Sequence, residues 1–398
     1  MHKAVILLFF CALLAACDSG GGGDGAGAVP GVSDTEIVIG THQDLSGAAA
    51  IIGVAVVNGG RMKFDEVNEA GGVHGRRIRY VVEDAQYQVS RAIQAANKLI
   101  NRDRVFVMFN AMGTPMNNAV MPMLFERGIP NLFPTTAARS MAQPFRRLQF
   151  TSLGTYVEQI KAGMRHFVEA GSAAVPCVIY QDTEFGQEIL DGAREQAAAM
   201  GLELAALSAH KPTDTEFTAA ILRLRNAGCN LTMMGTIHKD TTLILETAYK
   251  MGWTDVQWIG TSASYIVAVA ELESGSAEGF AVFQPFHPVH RNDPDLDPKI
   301  AAWWDRYVER FGIEPDWGAF LGYRDAELLA LGLQNAGREL TVESLLGGLE
   351  SIRDHVDYFG SRVSFGPDDH DAVEEVMLSV VRDGRWQAVP LTVRLDEL

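Results

Sequence analysis

Two successive series of short β-rich runs, each alternating with helix-patterned stretches, constrain this chain more than any other feature. The first series opens with the strand Glu36-Ile37-Val38-Ile39-Gly40 and a helix carrying Val56, Gly60, Phe64 and Val67 on one face. Gly71-Gly72 ends that helix, glycine being the usual helix stop. A strand at Arg79-Tyr80-Val81-Val82-Glu83, a helix aligning Ile93, Ala96 and Ile100, and a strand from Val105 to Phe109 follow. A helix from Pro115 and a short strand around Asn131-Leu132-Phe133 complete the series. The second has strands at Val175 to Tyr180, Leu202 to Leu207, Leu231 to Met234 and Gln257 to Ile259, with a helix from Glu184 to Met200. Such alternation predicts an α/β fold with parallel sheets covered by helices on both faces. The two series share no sequence repeat, so any duplication is one of topology.

From Pro285 to Pro298 four prolines mark a long irregular connection. Helices over Lys299 to Phe311, Ala319 to Asn335 and Val342 to Ser351 follow, then late strands near Val376 to Val381. Roughly 365 residues after position 33 exceed what one hydrophobic core usually serves, which predicts two lobes.

The amino terminus sets the compartment. Lys3, an apolar run from Ala4 to Leu14, and Ala15-Ala16-Cys17 form a secretory signal too short to span a bilayer. The segment resembles a bacterial lipoprotein signal, which implies cleavage after residue 16 and lipidation of Cys17. Residues 17–33, with the glycine-rich run Gly20 to Ala28, are expected to form a flexible tether with a reach on the order of 20 Å. Removing Lys3 leaves 32 basic against 50 acidic residues, a shift from -17 to -18. That acidity argues against nucleic acid and anionic lipid faces as partners. Cys177 and Cys229 each begin an apolar run. They are expected as buried free thiols, a bridge being open only if the two strands are neighbours.

Phe64 to Ile78, with the sequence FDEVNEAGGVHGRRI, resembles the helix, double-glycine turn and second strand of type I periplasmic binding proteins of ABC importers, in the leucine/isoleucine/valine-binding branch. Val82-Glu83-Asp84, Ala95 to Ile100, Gly128-Ile129-Pro130, Tyr180-Gln181-Asp182 before Phe185-Gly186, and Gly366 to Asp371 continue the similarity in order. The resemblance implies two doubly wound parallel-sheet lobes joined by a three-segment hinge, residues 34–152 plus 285–370 forming one and 153–284 plus 371–398 the other. It further implies a small-molecule ligand in the cleft between them, outside the carboxyl ends of the strands.

Gly113-Thr114-Pro115 is the sharpest local signal. Threonine as N-cap with proline next leaves the amides of Met116 and Asn117 unpaired, a ready site for a carboxylate. A plain helix cap is the competing reading. The resemblance places Thr114, with Met112 and Gly113 beside it, at the ligand's carboxylate. It places Thr135 and Thr136 on the next loop and puts Ala137 where relatives carry a second hydroxyl. It also implies that Ile52 covers the ligand, that Gln43 reaches the cleft, and that Phe185 and Phe217 either wall the pocket or belong to the core. Asp240 falls near the family's partner for an α-amino group, His238 being the alternative polar contact, and Tyr265 closes the cleft.

Other motifs carry little. His287 and His290 form an HxxH broken by Pro285 and Pro288, so they do not share a helix face. Asp293, Asp295 and Asp297 lack the glycine of a calcium loop. Gly260 to Ser264 lacks the last glycine of a nucleophile elbow. Neither a dinucleotide fingerprint nor a P-loop occurs. One of Trp303 and Trp304 is expected to face the core. The reading is thus a monomeric, lipid-anchored periplasmic receptor without catalytic residues, metal or cofactor. It captures an amino acid of branched-chain type, or a related organic or aromatic acid, and delivers it to an ABC permease. A receptor serving a signalling partner is the alternative.

Overall fold

The structure, a computed structural model, describes residues 29–171, 174–286 and 288–398. The signal segment, Cys17, the run Gly20 to Ala28 and His287 lie outside the described residues. Five strands, β1 (Glu36–Gln43), β2 (Arg77–Asp84), β3 (Val107–Phe109), β4 (Asn131–Leu132) and β5 (Gln149–Phe150), form a parallel sheet ordered β2-β1-β3-β4-β5. The next five, β6 (Pro176–Gln181), β7 (Ala206–His210), β8 (Leu231–Gly235), β9 (Gln257–Gly260) and β10 (Ala281–Gln284), are ordered β7-β6-β8-β9-β10. The connectivity is identical in the two sheets. The second alone is extended, by β13 (Glu375–Arg382) and β14 (Arg385–Arg394), both added antiparallel. A small ribbon, β11 (His355–Val356) and β12 (Arg362–Val363), lies apart.

The helices are α1 (Ala50–Glu69), α2 (Val89–Asn101), α3 (Thr114–Glu126), α4 (Tyr156–Glu169), α5 (Glu184–Ala199), α6 (Thr218–Asn226), α7 (His238–Lys250), α8 (Val267–Ala270), α9 (Pro298–Phe311), α10 (Trp317–Asn335) and α11 (Val342–Glu350). Strands such as β3 and β8 are apolar without alternation and wholly buried, as a sheet covered on both faces requires. Although α10 lies far along the chain, it packs on α1 of the first lobe. A Cβ at Gly322 would stand 2.0 Å from the Val56 carbonyl oxygen, so only glycine permits this approach.

The chain passes between the lobes three times, after β5, after β10 and before β13. Two of these segments are paired, the Thr151 amide donating to His370 O at 2.9 Å and the Ala372 amide to Thr151 O at 3.0 Å.

Three expectations change. Cys177 and Cys229 are bridged, not free: β6 and β8 are adjacent, and the register brings the two Cα atoms to 5.9 Å, within disulfide reach. Strand β7 starts four residues later than expected, at Ala206, because Leu202 and Leu204 serve to pack the approach to the sheet. Trp303 and Trp304 are both buried, in an aromatic cluster with Tyr307 and Tyr323. Of the HxxH pair, His290 bonds through Nε2 to the Trp386 carbonyl at 2.8 Å. No helix among the described residues is long and apolar enough to cross a membrane.

Candidate ligand-binding site

In both sheets the strand order reverses beside the first strand, at β1/β3 and β6/β8, and a doubly wound sheet opens a crevice at such a point. On the first sheet, β1 runs into Asp44, whose carboxylate accepts from the amides of Ser46 at 3.2 Å, Ala49 at 2.7 Å and Gly47, fixing the turn into α1. Gln43 is buried there and donates through Nε2 to Asn110 O.

After β3 the chain turns through Asn110 and Gly113, both left-handed, with φ of 50° and 90°. The side-chain amide of Asn110 donates to Phe133 O and to Asp325 Oδ2, each at 2.7 Å. Gly113, rather than Thr114, is the N-cap of α3, and no side chain caps the helix. The Thr114 hydroxyl instead meets the Thr136 hydroxyl at 2.7 Å. Of the two amides expected to be unpaired, that of Asn117 donates to Gly113 O at 2.9 Å, while the Met116 amide remains in the uncapped first turn. Two hydroxyls bonded to each other use one of their two protons. The second has the Tyr156 phenol beside it, next to a helix N-terminus where the backbone already favours an anion.

These groups line a cavity of about 30 Å³ between the sheets. Seven expected residues share its wall: Ile52, Met112, Gly113, Thr114, Thr135, Thr136 and Phe185. Tyr87, Leu153, Tyr156, Ile237, Ala263 and Trp317 join them without having been anticipated. Tyr87 is set there by two consecutive left-handed residues, Gln86 at φ 51° and Tyr87 at φ 53°, a backbone cost that clusters at functional sites. Burial pushes its phenol up, and the charges of Asp240 and Asp44 add to the rise. Tyr156 stands edge-on to Phe185 with ring centres 5.1 Å apart, and burial pushes its phenol up to about 12.

The remaining expected residues stand elsewhere. Phe217, the N-cap of α6, is core, edge-on to the His210 ring at 5.1 Å. Tyr265 packs on Trp386 at 4.5 Å and lines a second, larger cavity near the hinge. Asp240 is fully buried in the first turn of α7, its Oδ2 accepting from Gln181 Nε2 at 2.5 Å with His210 Nε2 at 3.4 Å. His238 lies next to it, its pKa lowered by burial against the pull of Asp240 and Asp44. Gln43, His238 and Asp240 therefore stand behind the small cavity rather than on its wall. Among the described residues no group of three or more His, Cys, Asp or Glu is placed to hold a metal ion.

The arrangement presents hydroxyls and a helix N-terminus on one side and apolar rings on the other, which suits the carboxylate end of a small apolar molecule. Known proteins share this architecture. The chain is 25% identical over 326 residues to a Leu/Ile/Val-binding protein homolog from Brucella suis, 78% of this chain and 81% of that one. A fatty acid ABC transporter substrate-binding protein from Thermomonospora curvata superposes with a TM-score of 0.83 at 22% identity, over 94% of this chain and 97% of that one. An ABC transporter solute-binding protein from R. palustris, in complex with benzoate, does so with 0.78 at 17%, over 90% and 98%. The profile of the periplasmic binding proteins matches residues 36–385, so the chain belongs to the periplasmic binding protein family.

Proposed function

We propose that this protein is the solute-binding lipoprotein of an ABC importer, tethered through Cys17, and that its solute is a small apolar monocarboxylate. The observation that carries this reading is the uncapped first turn of α3, with the Thr114 and Thr136 hydroxyl pair, facing rings across the cavity. Asp240, the residue suited to an amine, has Oδ2 bonded to Gln181 and Oδ1 buried without a partner among the described residues, and it stands off the wall of the small cavity. An acid therefore fits the wall as it stands better than a zwitterionic amino acid does. The relatives named above bind solutes of both kinds by their descriptions, so the choice rests on the wall itself. The disulfide supports an oxidising compartment outside the cytoplasm.

In function, residues 34–152 plus 285–370 would close on 153–284 plus 371–398 over the solute. The solute can favour closure only by contacting the closed state better than the open one, and the closed face would dock on the permease.

A ligand that binds only the folded protein raises its stability by RT ln(1 + [L]/Kd), about 2.7 kcal/mol at a hundredfold excess over Kd. In a thermal-shift panel, 4-methylpentanoate, benzoate and phenylacetate should raise Tm more than leucine and phenylalanine, and the matching amides should do nothing. No shift with any acid at millimolar concentration would overturn the reading. Cys17→Ala should move the protein from the membrane to the soluble fraction.

A further inference from the structure

The small cavity is too small for the solute it would anchor. About 30 Å³ accommodates two or three waters. Beside it lies a cavity of about 490 Å³, within the roughly 300–1,000 Å³ that holds whole small molecules. Trp317 stands on the wall of both cavities and is their one shared residue. Its indole N–H, buried, has no hydrogen-bond partner among the described residues.

The large cavity draws its walls from both lobes and from the crossing segments. Phe320 comes from α10 and Phe359 from the turn between β11 and β12, Trp386 from β14, and Phe286 and Val289 from the passage after β10. Rings make up part of these walls, and Asp354, Arg362, Glu374 and Glu375 line them as well. The one buried cation among them, Arg324, is held by Asp357 at 2.7 Å and lies over the Phe286 ring at 4.9 Å. The shared wall is also fixed across the lobes: the Asp316 carboxylate accepts from the Trp317 amide at 2.7 Å and from the Val267 amide, beyond β9, at 3.1 Å.

We infer that the solute is an elongated monocarboxylate whose uncharged tail passes Trp317 into the hinge-side cavity, and that Trp317 sets which tails are accepted. The inference rests on the carboxylate site proposed above. With the carboxylate at the first turn of α3, the small cavity offers no volume for the rest of the molecule, and Trp317 is the boundary with the space that does.

Calorimetry with straight-chain acids from butanoate to decanoate tests it. Burying each added methylene should tighten binding roughly fourfold, from the ~0.8 kcal/mol that a buried methylene contributes, until the cavity is filled. Val289→Phe, which narrows the large cavity, should weaken octanoate more than butanoate. Should that variant fail to fold, Arg362→Trp on the exposed rim of the same cavity offers a second block. Trp317→Ala should flatten the preference between branched and straight tails. Acids that bind equally at every length, lose affinity in Thr114→Ala and ignore both blocking variants would overturn the tail assignment and leave the carboxylate site intact. An absence of binding by acids of any length would overturn both.

Discussion

The hydroxyls at the ends of β3 and β4 face the small cavity, whereas the carboxylate and imidazole at the start of α7 and the end of β7 face each other. The two sheets have one connectivity, so the contrast is chemical rather than topological. In the proposed site the Thr114 and Thr136 hydroxyls face the solute, while both groups near Asp240 Oδ2 belong to the protein. On that proposal the first sheet offers polar atoms to a ligand, and the second commits Asp240 Oδ2 to its own Gln181 while Oδ1 lies buried without a partner among the described residues. The disulfide between Cys177 and the approach to β8 reinforces the second sheet in the same sense.

The strongest test of that division is to cut the bridge. With 52 residues separating the cysteines, the chain-entropy account assigns the closed loop ~4 kcal/mol. The Cys177→Ser, Cys229→Ser double variant should lose about that much in urea unfolding, while the affinity for a bound acid changes by less than threefold. A collapse of affinity in the still-folded variant would show that the second sheet does more than frame the site.

Asp240 and Thr114 divide the next effect between stability and binding. Asp240→Ala leaves Gln181 Nε2 buried without its acceptor, a loss of about 1–3 kcal/mol, and should change acid affinity little. Thr114→Ala should do the reverse, weakening acids about tenfold, the equivalent of ~1.4 kcal/mol, with stability nearly unchanged. If Asp240→Asn, which keeps an acceptor, abolished acid binding, Asp240 would belong to the site and the contrast would fail.

Much of this was legible in the sequence, for physical reasons that differ by residue. Strands β1, β3, β6 and β8 were readable because a sheet buried on both faces selects continuous apolar runs. Helix α4 was missed although Thr155 and Glu158 form a capping box, a signal present in the sequence. Strand β10, four residues long, carries no such punctuation. In the site, Thr114, Thr135 and Thr136 were readable because each follows a strand. Tyr87 was not, since a pair of left-handed residues aims it, and Trp317 was not, since a chain crossing delivers it from far along the sequence. The surroundings of Asp240 were equally hidden: Gln181 and His210 approach its Oδ2 from two neighbouring strands.

The pH response lies behind the first sheet, where two buried titratable residues oppose each other. His42 has no partner on either ring nitrogen among the described residues, and burial lowers its pKa to about 4. Asp325 is raised to about 7 by burial, against the opposing pull of Arg324 and the Asn110 amide. Between about pH 6.5 and 4 the unfolded chain takes up a proton at His42 sooner than the folded one, so this residue makes stability fall as pH falls. Between about pH 4 and 7 the folded protein holds a proton on Asp325 that the unfolded chain releases, so this one makes stability fall as pH rises. Each slope is at most roughly 1.4 kcal/mol per pH unit, and over the shared window they largely cancel in the native protein. Calorimetric Tm values from pH 4.5 to 7.5 should therefore show opposite tilts once either member is removed. Relative to the native profile, His42→Gln should gain stability toward low pH and Asp325→Asn toward high pH. Parallel profiles for the two variants would mean that these buried groups do not set the pH response of the first sheet.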